Sequence, residues 1–256
     1  MNNRYPQASD RLVERQIGAA TRRSFLTGGL AALAGFGAFR WIDTRRLDQG
    51  VAGPLRNALE ANGRLAQAYS RPSRLAREFP AASAEVPRVN GTIGIDDDDF
   101  DPSRWSLAVD GLADRSGTGR LPLAAIQSLP KVDFVTELKC VEGWSKRVQW
   151  GGARLADFAR QYAPASVGQD GYVALATPDG AYYVGLDMAS AMHPQTLLCY
   201  EMNGQPLAAE HGAPLRLVIP IKYGIKNLKR IGRISFTRTR PPDYWAERGY
   251  DYYAGF

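Results

Sequence analysis

The chain of 256 residues has 45% hydrophobic and 23% charged residues, a net charge of +6 and an isoelectric point near 9.4. That balance supports a soluble body with a core of useful size, organised as one large domain or two small ones. Two cysteines, Cys140 and Cys199, exclude a disulfide framework and a zinc cluster. Two histidines, His193 and His211, exclude a multi-histidine metal centre, so any metal has very few protein ligands or arrives inside an organic cofactor.

The first signal along the chain is Thr21-Arg22-Arg23-Ser24-Phe25-Leu26, standing before a weakly apolar stretch at residues 26–39. It resembles a twin-arginine export signal. The stretch carries four glycines and falls short of the roughly 20 apolar residues a spanning helix needs. Ala32-Leu33-Ala34 has the small-x-small form of a cleavage site but sits early, and no better site follows Arg40 and Trp41. Residues 1–41 are therefore read as a twin-arginine signal or an uncleaved N-terminal anchor. Such substrates generally cross the membrane folded, often with a cofactor already inserted.

Residues 42–85 read as a helical segment. Leu55, Leu59, Leu65, Tyr69, Leu75 and Phe79 predict one or two amphipathic helices, broken at Pro72. The acidic run at 96–99 reads as a solvated turn without the ligand spacing of a calcium loop.

From Trp105 the texture changes to short alternating runs. Residues 105–109 predict a strand ending at Asp110-Gly111, and residues 134–138 a strand leading to Cys140. Residues 153–162 predict a short helix. Strands at 172–176 and 181–185 flank the turn Pro178-Asp179-Gly180, and runs at 197–202 and 206–207 flank Asn203-Gly204. Residues 215–219 and 231–237 complete a β-rich core. The sum is an α+β domain with a mixed, partly barrel-like sheet and helices around it.

Two segments carry chemistry. In Glu137-Leu138-Lys139-Cys140-Val141-Glu142-Gly143-Trp144-Ser145 a cysteine leaves a strand and enters a polar loop, which places it at a cleft. Lys139, Lys146 and Arg147 would favour its thiolate, the form that binds soft redox metals. A buried, inert cysteine is the other reading. Between His211 and Pro242 stand eight Lys or Arg and no Asp or Glu. Such a segment is an anion site or a solvated basic face. Gly224 permits close backbone approach to a ligand, and arginine pairs with phosphate in bidentate fashion. Nucleic acid is disfavoured, because the aromatics that would stack on bases cluster elsewhere, at 244–245 and 250–256, and because the chain carries an export signal.

At these residues the chain resembles the molybdopterin-binding domain of the sulfite oxidase family. It is most similar to the branch that includes the catalytic subunit of periplasmic protein-methionine-sulfoxide reductase. Residues 140–145 match C-V-E-x-W-S, 150–152 match W-x-G, and 191–197 match A-M-H-P-x-T-L. The run from His211 to Lys229 matches N/H-G-x-P-x-R-L-x-x-P-x-K-Y-G-x-K-x-x-K. The likeness covers residues 86–240 and implies that 86–256 form a molybdopterin-binding catalytic domain.

The resemblance implies that Cys140 binds molybdenum through its thiolate, within a molybdenum-molybdopterin cofactor. It makes Thr177 a pterin contact, and His211 and Arg216 contacts to the pterin and its phosphate end. Asn227, Leu228 and Lys229 match the closing loop, with Lys229 the charged contact. Lys222 and Lys226 join them, and Asn90 matches an N-terminal cofactor contact. His193 reads as a capping or packing residue, and Cys199 as core.

Sulfite oxidases proper carry C-A-G-N-R-R where this chain has Cys140-Val141-Glu142-Gly143-Trp144-Ser145. The missing arginines argue against sulfite, and Trp144 and Glu142 predict a bulkier, less cationic mouth. The implied activity is two-electron oxygen-atom transfer at a sulfur centre, on a small-molecule or protein-bound substrate in the periplasm. The chain ends twenty residues after Phe236, which implies a monomeric catalytic unit without an appended dimerisation or haem domain. Its electrons would be exchanged with a membrane b-type cytochrome or a soluble cytochrome. The residues alone leave two other readings: a subunit that holds the cofactor without turnover of its own, and a basic binding domain with no cofactor.

Overall fold

The computed structural model describes residues 7–48, 50–69, 74–96, 100–110, 118–163, 168 and 171–256, with the backbone alone at 7–20 and 22. The chain forms two compact units, Met1–Asp48 with Ala52–Leu55, and Gln49–Val51 with Arg56–Phe256. Pro72, Asp97 to Asp99 and Gly111, each assigned a turn or break from the sequence, lie outside the described residues.

The first unit is dominated by helix α1 (Gln7–Asp43). Its part Arg23–Asp43, 21 residues, is long and apolar enough to cross a membrane. At about 1.5 Å per residue that is roughly the 30 Å of a hydrocarbon core. Phe25, Leu26, Leu30, Leu33, Phe36 and Phe39 are all exposed along it. The sequence predicts a shorter apolar stretch. The difference arises because the glycines weaken a helix without ending it, and the helix continues through Arg40 and Trp41 to Asp43.

Two-residue strands β1 (Leu47–Asp48) and β2 (Val51–Ala52) precede helix α2 (Gly53–Tyr69). The predicted apolar face of α2 is not the buried one. Leu65 and Tyr69 are exposed, whereas Arg56 and Gly63 are buried. Arg56 donates to the carbonyls of Ala246 and Tyr250, and a Cβ at Gly63 would stand 3.0 Å from the Asp251 carboxylate. No second helix follows at 74–79. Gln195 ties that stretch down in extended form, accepting from Ala76 N (2.7 Å) and donating to Ala76 O (3.0 Å).

The body holds two five-stranded sheets. In chain order the elements are β3 (Leu107–Asp110), β4 (Thr118–Leu121), α3 (Leu123–Gln127), β5 (Lys131–Lys139), β6 (Ser145–Arg154), α4 (Leu155–Tyr162), β7 (Tyr172–Ala176), β8 (Tyr183–Asp187), α5 (Met188–Ala191), β9 (Leu197–Met202), β10 (Gln205–Pro206), β11 (Arg216–Val218) and β12 (Arg233–Thr237). One sheet runs β10-β9-β6-β5, with β11 also on β9; the other runs β4-β3-β12-β7-β8. The β3–β12 pair is parallel and its neighbours are antiparallel, which makes that sheet mixed. The α+β expectation holds. The predicted hairpins form, and the second closes through Asn203 (φ 52°) and Gly204 (φ 74°), the left-handed pair that a type I′ turn requires.

Alternation along the strands builds the core. Val173, Leu175, Val184, Leu186, Ile234 and Leu217 turn inward with Leu107 and Val109, and α4 adds Phe158. Each full burial of such a side chain is worth about 1.5–3 kcal/mol. Strand β9 is buried on both faces: Leu198 and Tyr200 enter this core, while Leu197 and Cys199 enter a smaller cluster with Val148 and Trp150.

Gly151 and Gly152 on β6 answer to that crowding. The β6–β9 register slips between them, and a Cβ on Gly152 would lie 2.3 Å from the Leu198 carbonyl oxygen. The slip lets β5 and β6 pair without interruption from Lys131↔Ala153 to Lys139↔Ser145, so the hairpin delivers Cys140 at its tip.

Candidate active-site cavity

Cys140 opens the β5–β6 hairpin loop. Its N–H donates to Trp144 O (2.9 Å), and its carbonyl accepts from Gly143 N (3.1 Å), with Gly143 at φ 85° closing the turn. The residue is half-buried and lines a cavity of about 360 Å³, within the range of pockets that enclose small ligands.

Asn90 reaches Cys140 from an irregular segment ahead of β3. Its Nδ2 lies 3.5 Å from Cys140 Sγ and 3.3 Å from Glu142 Oε2. Trp144 Nε1 donates to the same Glu142 oxygen at 3.1 Å. Lys229 Nζ in turn donates to the carbonyls of Asn90 and Gly91, each at 2.9 Å.

Cationic side chains line the same cavity. Arg216, at the start of β11, is buried and donates to His211 O (3.0 Å) and Asn227 O (3.4 Å). Its Nε is buried without a hydrogen-bond partner among the described residues. Burial also pushes Lys229 down to about 8, with the Arg216 charge adding to it and Glu210 opposing. His211 is lowered first by burial, then by Arg216 and Lys229, so its imidazole is neutral at pH 7. Gly212 makes this corner possible. It sits at φ 98°, and a Cβ there would meet the Lys229 and Arg230 backbone at 2.8 Å.

Four aromatic side chains also line the cavity: Trp144, Tyr182, Trp245 and Tyr250. Tyr182 donates to Ile225 O at 2.5 Å, and burial raises its pKa.

Six of the residues singled out from sequence thus share one cavity: Asn90, Cys140, His211, Arg216, Asn227 and Lys229. The structure does not bring the other four to its wall. Thr177 is buried, with its hydroxyl donating to Asp179 (2.6 Å) and accepting from Tyr182 N (3.1 Å). Lys222 donates to Tyr253 O at 2.7 Å, and burial lowers it to about 7. Lys226 is paired with Asp243 at 2.5 Å, and Leu228 is wholly buried in the core. Tyr182, Trp245 and Tyr250 are cavity residues that sequence reasoning missed; the density of aromatics at 244–253 was the available signal for the last two, and Tyr182 carried none.

The donor set fits an anionic organic cofactor. A buried cation with an unmet donor is costly unless an anion completes it, and Arg216 with Lys229 offers that completion to a phosphate. Among the described residues no group of three or more His, Cys, Asp or Glu could hold a metal ion. A metal on Cys140 would therefore draw most of its ligands from outside the protein.

Fold and site together define an α+β domain whose cavity gathers one thiol and several cationic side chains. Residues 94–245 match the oxidoreductase molybdopterin-binding domain, and the chain belongs to that family of molybdopterin oxidoreductases. Among curated relatives, a YedZ1 protein of Azospira oryzae, named provisionally as a protein-methionine-sulfoxide reductase subunit, is 36% identical over 189 residues, 72% of this chain and 69% of that one. The protein-methionine-sulfoxide reductase catalytic subunit MsrP of Ralstonia nicotianae is 33% identical over 201 residues, 69% of this chain and 60% of that one. The protein of the same name from Xanthomonas campestris is 34% identical, covering 63% and 56%. The chain thus spans less than two thirds of the length of these two MsrP relatives. Among solved structures, the sulfane dehydrogenase SoxCD of Paracoccus pantotrophus aligns with a TM-score of 0.48 at 16% identity, over 56% of this chain and 40% of that one.

Proposed function

We propose that the protein catalyses two-electron oxygen-atom transfer at a sulfur centre, of the sulfoxide reductase or sulfite oxidase kind. The observation that carries this reading is the Cys140 thiol, held by Asn90 in a cavity that the partly unmet Arg216 guanidinium also lines. When bound, a molybdenum-molybdopterin cofactor supplies the redox chemistry, and the protein supplies position and charge. Cys140 is the protein's ligand to the metal. Arg216 and the third donor of Lys229 hold the phosphate end, and neutral His211 offers a ring nitrogen to the pterin. Asn90 orients both the thiolate and Glu142.

The substrate is a sulfoxide-like group, free or carried on a protein. The Glu142 carboxylate shares the Asn90 amide with Cys140, and a negative charge beside the thiol disfavours an anion such as sulfite. The relatives named MsrP support the sulfur-centred reading.

Residues 1–41 direct export by the twin-arginine route to the periplasm and, if retained, anchor the chain through α1. Residues 42–85, helical over Gly53–Tyr69, form an N-terminal segment and 86–256 the catalytic domain. The unit works as a monomer and exchanges electrons with a membrane b-type or soluble cytochrome.

The test is metal and pterin analysis of full-length protein from an exporting host, with turnover assays on sulfoxides and on sulfite. Near-stoichiometric molybdenum and pterin with sulfoxide turnover is expected. Full cofactor with no turnover on any sulfur oxide would reduce the protein to a holding subunit, and its absence would leave a basic binding domain.

A further inference from the structure

The lysines that do not reach the cavity have another task. The C-terminal segment, residues 243–256, has little regular structure: a 3-10 turn at Ala246–Arg248 and an isolated bridge between Lys222 and Gly255. Buried polar groups hold it. Asp243 Oδ2 accepts from Lys226 Nζ (2.5 Å) and Gly185 N (3.1 Å), and its Oδ1 accepts from Ala246 N (3.1 Å). Lys226 Nζ also donates to Gly185 O (2.9 Å) and lies 4.4 Å from the Tyr252 ring centre. Lys222 Nζ donates to Tyr253 O and stands 3.1 Å from the centre of the same residue's ring, while Tyr223 N donates to Ala254 O (3.0 Å).

The stretch 222–227 is therefore a partition with two faces. Gly224, Ile225 and Asn227 line the cavity, whereas both ammonium groups turn to the C-terminal segment. Trp245 and Tyr250, in edge contact at 5.2 Å, come from that segment back to the cavity wall. A buried ion pair contributes little net stability, but it fixes register, since either charge left alone is heavily penalised.

We propose that Lys226 and Asp243 are positioning residues: their buried pair straps the C-terminal segment so that Trp245 and Tyr250 wall the substrate side of the cavity, and Lys226 does not contact the cofactor. This rests on the molybdopterin-dependent reading above.

Single neutralisations leave a lone buried charge, so the test uses the paired variant Lys226→Met/Asp243→Leu in the full-length, cofactor-loaded protein. Pterin released per protein should equal wild type, and chymotrypsin should cut within 244–253 faster. KM for a sulfoxide should rise about tenfold with kcat little changed, the pattern of lost binding rather than lost chemistry. Trp245→Ala should raise KM similarly, and the combined variant should be no worse than either, because both act on one wall. Lys226→Arg keeps the pair and should restore both the cleavage rate and KM. Loss of pterin with unchanged cleavage would make Lys226 a cofactor contact and overturn the proposal, as would unchanged cleavage with unchanged KM. If wild type turns over no sulfoxide, the functional reading fails, while cleavage and pterin content still decide the strap.

Discussion

Lys229 ties the basic loop to the segment that touches Cys140: its ammonium donates at 2.9 Å to the carbonyl of Asn90, whose own amide reaches the thiol. Two of its three donors are spent on backbone, which leaves one for a phosphate. Lys229→Met removes charge-assisted bonds on a partly exposed residue, so the lower end of the usual range, about 1.5 kcal/mol, applies. Cofactor affinity should fall about tenfold, read as faster pterin loss on dialysis. Loss no faster than wild type would free Lys229 of this role.

The same lysine predicts a pH dependence. Burial sets its pKa near 8 in the cofactor-free cavity, below the ordinary lysine value of 10.5. A phosphate favours the charged form, so binding takes up a proton above pH 8. Affinity should be level from about pH 7 to 8 and then fall, by at most about tenfold per unit for one proton. Lys229→Arg stays charged and should flatten that fall. For folding of the cofactor-free protein the sign is opposite. The unfolded chain holds the proton that folded Lys229 releases above 8 and Lys222 above about 7. These two groups therefore add stability as pH rises toward 10.5. A thermal melt series on cofactor-free protein between pH 7 and 9 measures that gain.

The two cysteines should separate cleanly toward a thiol reagent. Cys140 is half-buried and lines the cavity, whereas Cys199 is fully buried, pushed up to about 12 by burial, and 3.1 Å from Glu201 O. Native cofactor-free protein should label once, at Cys140, and twice only after unfolding. Loading the cofactor should protect Cys140, and Cys140→Ala should retain the fold while losing the metal. Labelling of Cys140 in fully loaded protein would remove it as the ligand.

Much of this was legible in the sequence because turns punctuate it. Asn203-Gly204 and Pro178-Asp179-Gly180 each sit between the strands they join, and the run 134–138 points directly at Cys140. Strand β6 was not legible: Lys146, Arg147 and the Gly151-Gly152 pair interrupt its alternation, and only the proximity of β9 explains the glycines. Nor could spacing say which way Lys222 and Lys226 turn. The loop has no helical or strand period, so identical residue types at 222, 226 and 229 divide between two faces for tertiary reasons alone.

Those glycines supply a stability test. Gly152 has a φ that other residues adopt, so Gly152→Ala gains nothing from lost chain freedom unless its methyl fits. It does not fit: the Cβ would fall 2.3 Å from Leu198 O and 2.7 Å from Cys199 Cα, both backbone atoms. Relief requires moving β9 away from β6 and unpacking Leu198 from the main core and Cys199 from the smaller one. Overpacking of this kind costs about 1–3 kcal/mol or more. A lower midpoint in urea with unchanged slope is expected, together with loss of pterin, because the same register carries β5–β6 and hence Cys140. Full stability in Gly152→Ala would mean that β6 and β9 are not paired as described. Gly204→Ala is the comparison. It lies in open space at φ 74°, so its cost is backbone strain in the turn, and the cavity should keep its cofactor.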